Sequence, residues 1–289
     1  MKFLALIIAV ALLQYWGSAG PVHRDDWFKS LVDKVSGSGL MPELELALAV
    51  LFPVGVIFWL QGFVTGWLLG LVPLALTVVV LLYSFGRRDF ETMLEKYREH
   101  CRAGDFEAAF LFAQQELAPG CDKECPGSSE ELHRWVKERF CYLGYERWFG
   151  VIFYFALFGA AGALGYRLLH LYREFREDPA QEQMVSKVLY VVDWIPARLL
   201  VLAFGLTGDW VGSREQLTAS FQDLDSATAD VITDGAHAAL GLKATVFSAS
   251  GDQDAVAEVS DWEIGQLRSL FSRSAMAWVV VLALLVLLV

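Results

Sequence analysis

Within Leu189-Tyr-Val-Val-Asp193-Trp194-Ile195-Pro196-Ala197-Arg198-Leu199, one acid and one base stand five positions apart in the otherwise apolar run Val188 to Gly208. Two charges at that depth are costly against lipid, so the helix must be buried against others or lie at the interface. Pro196 removes a backbone donor and biases Ile195 away from helix. This predicts two short helices meeting here, with Asp193 and Arg198 facing each other across the break. Two chemistries fit: a structural ion pair that holds both groups charged, or an anion or substrate grip by Arg198.

Other reactive side chains carry no recognisable spacing. His23, His100, His133, His170 and His237 are scattered. Cys121 and Cys125 stand beside Asp122 and Glu124, but a zinc site wants a second matched pair, so no metal is expected. Reduced thiols fit a cytoplasmic segment. P-loop, dinucleotide, zincin and nucleophile-elbow motifs do not occur, and no cofactor is expected.

The element that must position these residues is a membrane bundle. Of 289 residues, 55% are of the AVILMFWYC set and only 20% are charged, and mean hydropathy is +0.42. A net charge of −11 argues against a nucleic-acid partner. Leu46 to Gly86 is a run of 41 uncharged residues. As helix it would reach roughly 60 Å, twice a bilayer core, so it must fold back. The polar break Gln61-Gly62 predicts spans over 46–60, kinked or tilted by Pro53, and 63–84. Gly62, Gly66 and Gly70 would share one face of the second, a surface for close helix packing and for a homo-oligomer. Phe149 to Tyr166 reads as a third span, Val188 to Gly208 as a candidate, and Ala275 to Val289 as the last. Phe3 to Leu13 reads as a retained first helix with Tyr15 and Trp16 at its interface, the alternative being a cleaved signal peptide.

The expected fold is therefore all-α, a polytopic transmembrane helical bundle with small helical cytoplasmic segments and membrane lipids around it. Its divisions are 1–83, 84–148, 149–208, 209–274 and 275–289. Arg87, Arg88, Arg147, Arg268 and Arg273 put 84–148 and the end of 209–274 in the cytoplasm, provided that 188–208 crosses. In 84–148, helices are expected over Phe90 to Cys101 and Phe106 to Leu117, punctuated by Gly104 and Asp105. A capping box from Ser128 to Glu131 should open a third, Glu130 to Tyr142. Segment 209–274 holds eleven acids against Arg214, Lys243, Arg268 and Arg273. It is a solvated face or a docking surface for a basic partner, with helix starts expected at Ser213 and Ser260.

Taken in order, several stretches resemble the AmpE family of inner-membrane proteins linked to β-lactamase induction. They are the apolar start, Tyr83-Ser84-Phe85-Gly86-Arg87, the turn Pro119-Gly120-Cys121-Asp122, Arg134-Trp135 to Phe140, and Leu189 to Leu199 with Pro196 at its centre. The resemblance implies a non-catalytic role in regulatory signalling and cell-wall-fragment sensing. It also implies a cytosolic anhydro-muramyl-peptide amidase as partner. Ala103 to Ala109, Gly162 to Arg167 and Ile195 to Leu199 are in turn similar to the CobD/CbiB family, membrane enzymes of cobalamin synthesis. Their acidic, amide-rich run is replaced here by Tyr145-Glu146-Arg147-Trp148-Phe149-Gly150, and their later Asn and Asp by His170 and Arg173. That argues against their amide ligation, which stands as the alternative function. The candidate ligand site is then Arg167, His170, Asp193 and Arg198.

Overall fold

A computed structural model describes residues 2–16, 24–37, 39–64, 70–85, 90–117, 129–176, 178–242 and 253–288, and all regular structure among them is helical. In chain order the helices are α1 Lys2–Trp16, α2 Asp26–Ser36, α3 Pro42–Phe63, α4 Leu71–Ser84, α5 Phe90–Arg102 and α6 Phe106–Leu117. There follow α7 Ser129–Gly144, a π-helical turn Tyr145–Gly150, α8 Val151–Glu174, α9 Pro179–Thr207, α10 Trp210–Gln222, α11 Thr228–Leu240 and α12 Gln253–Leu288. Pro42–Phe63, Glu131–Glu174, Ala180–Thr207 and Ser260–Leu284 are long and apolar enough to cross a membrane. Two compact units emerge: Met1–Arg88 with Glu146–Pro196 and Leu282–Val289, and Asp89–Tyr145 with Ala197–Val281.

In the first unit α3 opens with Pro42 in its first turn and Glu43 and Glu45 behind it, where a fixed φ and negative charge both favour a helix start. It runs straight through the expected break at Gln61-Gly62. It ends at Phe63, and α4 begins after Gly70, which takes φ +89. Gly62 therefore belongs to α3 and Gly70 precedes α4, while Gly66 lies outside the described residues. Gly62 and Gly70 therefore do not share one helix. Gln61 Nε2 donates to Thr77 Oγ1 at 3.4 Å, tying α3 to α4 inside the apolar layer. The N-terminal α1 packs along α4 and buries Ala5, Leu6 and Ala9. Helix α2, unread in the sequence, buries Phe28, Val32 and Val35 on one face. The Tyr83 hydroxyl anchors its start by donating to Asp25 Oδ1 at 2.9 Å.

The third apolar block is not one crossing. Gly159 takes φ +69 and ψ −154 inside α8, a conformation that only glycine adopts without strain. Tyr154 and Tyr166 would stand about 18 Å apart on a straight helix. Here their rings stack at 5.2 Å with 17° between planes. The two halves of α8 thus run back alongside each other, and the small residues serve that close approach. A Cβ on Gly162 would sit 2.4 Å from the Tyr154 carbonyl oxygen, whereas one on Gly62 would meet nothing within 4 Å. Gly162→Ala should therefore lower thermal stability in detergent by about 1–3 kcal/mol, as overpacking does, and Gly62→Ala should leave it unchanged.

Helix α9 is continuous through Pro196, which corrects the expected pair of short helices. The physical reason lies on α8. Pro196 cannot donate to the carbonyl of Val192, and the Tyr154 hydroxyl supplies the donor at 2.8 Å. On an unbroken helix Asp193 and Arg198 point about 140° apart. They do not face each other across a break. Tyr154→Phe should strand that carbonyl and cost about 1–3 kcal/mol in a thermal or denaturant melt.

In the second unit the local punctuation is as expected between α5 and α6. Gly104 sits at φ +70, and Asp105 Oδ1 accepts from the Ala108 amide at 2.9 Å. Met93, Leu94 and Tyr97 form the buried stripe of α5. Helix α7 begins at Ser129, and the expected cap Ser128 lies outside the described residues. Ser213 and Ser260 are not helix starts. Asp209 caps α10 by accepting from the Val211 and Gly212 amides, which puts Ser213 inside the helix, donating back to the Asp209 carbonyl. Helix α12 is already running at Ser260. Phe271 closes the core edge-on against Phe140 and Phe204, at 5.5 and 5.0 Å between centroids.

Candidate functional site

The π-helical turn sets Glu146 where both carboxylate oxygens meet nitrogen-bearing side chains of α8, and such turns recur at functional positions. Arg167 Nη1 donates to Glu146 Oε1 at 3.0 Å, and His170 Nδ1 lies 3.5 Å from Oε2. All three residues are buried. The i, i+3 spacing places Arg167 and His170 on one face of the second half of α8. Tyr166, beside them, packs its ring 4.6 Å from the His170 ring. Its hydroxyl donates to Asp193 Oδ1 at 2.9 Å.

Three of the expected site residues, Arg167, His170 and Asp193, therefore join one buried polar cluster in the first unit. Sequence reasoning missed Glu146, Tyr166 and Tyr154, which make the connections. A usable signal existed for Glu146: it is a lone acid at the rim of an uncharged block, in the very stretch where the likeness to the cobalamin enzymes fails. That stretch and His170, the other point of departure, meet here. Arg167 Nε is buried without a hydrogen bond. No group of three or more His, Cys, Asp or Glu side chains suited to a metal exists among the described residues.

Arg198 belongs to the second unit and is 1% exposed. Its Nε donates to the Ser220 carbonyl and its Nη2 to the Asp223 carbonyl, both at 2.7 Å. It thereby caps the C-terminal end of α10, where carbonyls lack helical donors and a cation suits the dipole. Asp223 turns its own carboxylate onto the Asp225 and Ser226 amides. Bonds from the Ser226 side chain and backbone hold its pKa down to about 2. Gly120, Cys121 and Asp122 of the turn motif lie outside the described residues.

The second unit holds a further buried polar group that sequence reasoning did not see. His133 Nε2 and Lys137 Nζ, one turn apart on α7, share Glu263 Oε2 at 2.8 and 2.7 Å. His237 on α11 stands near them, and its Nε2 makes no hydrogen bond. Burial pushes its pKa down to about 4, Lys137 and His133 add to that, and Glu263 opposes it. A histidine kept neutral in the fold but free to protonate near pH 6.5 when unfolded destabilises the fold as pH falls from about 6.5 to about 4. The loss should be on the order of 1–3 kcal/mol. Thermal melts of the full chain from pH 7.5 to 5 should show it, with a flatter dependence in His237→Leu.

A family model described as "Regulatory signalling modulator protein AmpE" matches residues 1–288. No curated protein and no solved structure matches the chain.

Proposed function

Because the chain belongs to the AmpE family of regulatory signalling modulators, we propose that it acts in β-lactamase induction and cell-wall-fragment sensing, as a multi-pass inner-membrane protein without catalysis of its own. The observation that carries this reading is the buried contact of Arg167 with Glu146 at 3.0 Å, one guanidinium edge left over. An anionic wall fragment can compete with Glu146 for Arg167. In a low-dielectric setting the exchange of one carboxylate for another is a two-state event, because neither charge tolerates being left alone. The displaced Glu146 lies in the turn that leads out of α7, so the change is passed toward the helical segment 84–148. There a cytosolic anhydro-muramyl-peptide amidase is the partner that the family resemblance implies.

Amide ligation of the cobalamin type is disfavoured on the same geometry. Its Mg²⁺ and phosphate chemistry wants carboxylates open to the metal, and Glu146 has both oxygens turned to Arg167 and His170. The test is induction of β-lactamase in cells carrying Arg167→Gln, read at matched membrane abundance. Induction should fall. Unchanged induction would sink the anion-exchange reading, and binding of Mg-nucleotide by the purified protein would favour the ligase.

A further inference from the structure

We propose that an apolar groove in the first unit binds one anionic phospholipid of the surrounding bilayer, its phosphate at Lys34 and an acyl chain between α3 and α4. The inference is independent of the signalling reading. The groove encloses about 520 Å³, the size of an ordinary ligand pocket. Pro53 and Val56 of α3 and Val79 of α4 form its sides, and Leu164 of α8 lines it from the core. Leu164 is 5% exposed, whereas Val56 and Val79 remain 40% and 52% exposed. The groove is therefore closed inward and open outward, toward lipid.

Its other end is polar. Ser30 and Lys34 of α2 line it, with Trp27 beside them. Lys34 alone carries charge among the described lining residues. Helix α2 buries an apolar face and turns Lys29, Asp33 and Lys34 outward, the pattern of a helix lying in the membrane interface, with its tryptophan at headgroup level. The lysine and serine then sit at headgroup depth, and the apolar walls below them at acyl depth. An occupant must be apolar over most of its length and anionic at one end. A bilayer presents phospholipids at those depths and in that orientation.

The experiment is native mass spectrometry of the full chain in mild detergent, titrated with phosphatidylglycerol and phosphatidylcholine of identical acyl chains, and with palmitate. Phosphatidylglycerol should be retained about fivefold better than phosphatidylcholine, the weight of one lysine beside an anionic headgroup. Lys34→Glu, an exposed change, should remove that preference. Val56→Trp, which fills the groove, should lower retention of both lipids. Equal retention of the two lipids by the wild type overturns the proposal. So does a preference that survives Lys34→Glu, a Val56→Trp protein that retains lipid like the wild type, or palmitate displacing phosphatidylglycerol.

Discussion

Arg198→Ala should abolish stable accumulation of the protein. The guanidinium makes two charge-assisted bonds to backbone carbonyls of the α10 end, each worth about 1.5–3 kcal/mol. Ser220 is itself buried, so water cannot readily replace the lost donor, and the truncated side chain leaves a void. Together these reach roughly 3–6 kcal/mol, a large part of the 5–15 kcal/mol that holds a typical domain folded. Arg198→Lys should fall between, because one ammonium on a flexible stem cannot span two carbonyls with fixed geometry. Asp223→Ala should be milder than Arg198→Ala, since the carbonyl that accepts from Arg198 stays in place and the exposed carboxylate loses only its bonds to Asp225 and Ser226. The readouts are abundance in membranes and protease sensitivity of α10 in detergent. An Arg198→Ala protein that accumulates and resists protease like the wild type would remove the capping assignment.

The contrast between Arg198 and Arg167 shows which parts of the molecule were legible in the sequence. Local rules worked where the cause is local. The bounds of α6 and the Gly104-Asp105 punctuation follow from apolar spacing and capping chemistry that involve neighbours only. The lipid-seeking blocks were equally plain, because hydropathy is additive along the chain. Hydropathy is silent, however, on where a chain turns round. Gly159 reverses α8 in the middle of an apolar block, and nothing in composition separates it from the glycines that merely allow close packing. Pro196 misled because its helix is rescued from outside, by the Tyr154 hydroxyl. Ser213 and Ser260 matched a capping pattern that carries no information about whether a helix has already begun. Arg167 and His170 were reached through a resemblance, but their partner Glu146 lies 21 and 24 positions earlier, beyond that reversal, where no spacing rule extends. Arg198 was expected to be buried, and it is, yet it donates to the Ser220 and Asp223 carbonyls, which a sequence does not display.

Removing one side of the buried Glu146–Arg167 contact should be worse than removing both. Arg167→Leu alone leaves Glu146 in a buried site without its closest cationic partner, and Glu146→Leu alone strips Arg167 of its carboxylate. Breaking such a pair from one side costs about 3–5 kcal/mol, whereas replacing both members with apolar residues of similar volume is often neutral or stabilising. The double variant Glu146→Leu with Arg167→Leu should therefore melt near the wild type, while each single variant melts well below it. This pair of changes separates structure from signalling, because the double variant restores packing and removes the proposed anion grip together. Its β-lactamase induction should stay low although the protein is stable and abundant. If the double variant regains induction along with stability, the pair is only scaffolding and the proposed anion exchange fails. If the double variant is as unstable as the single ones, the two groups are not held chiefly by each other, and the reading of Glu146 as an exchangeable partner of Arg167 fails.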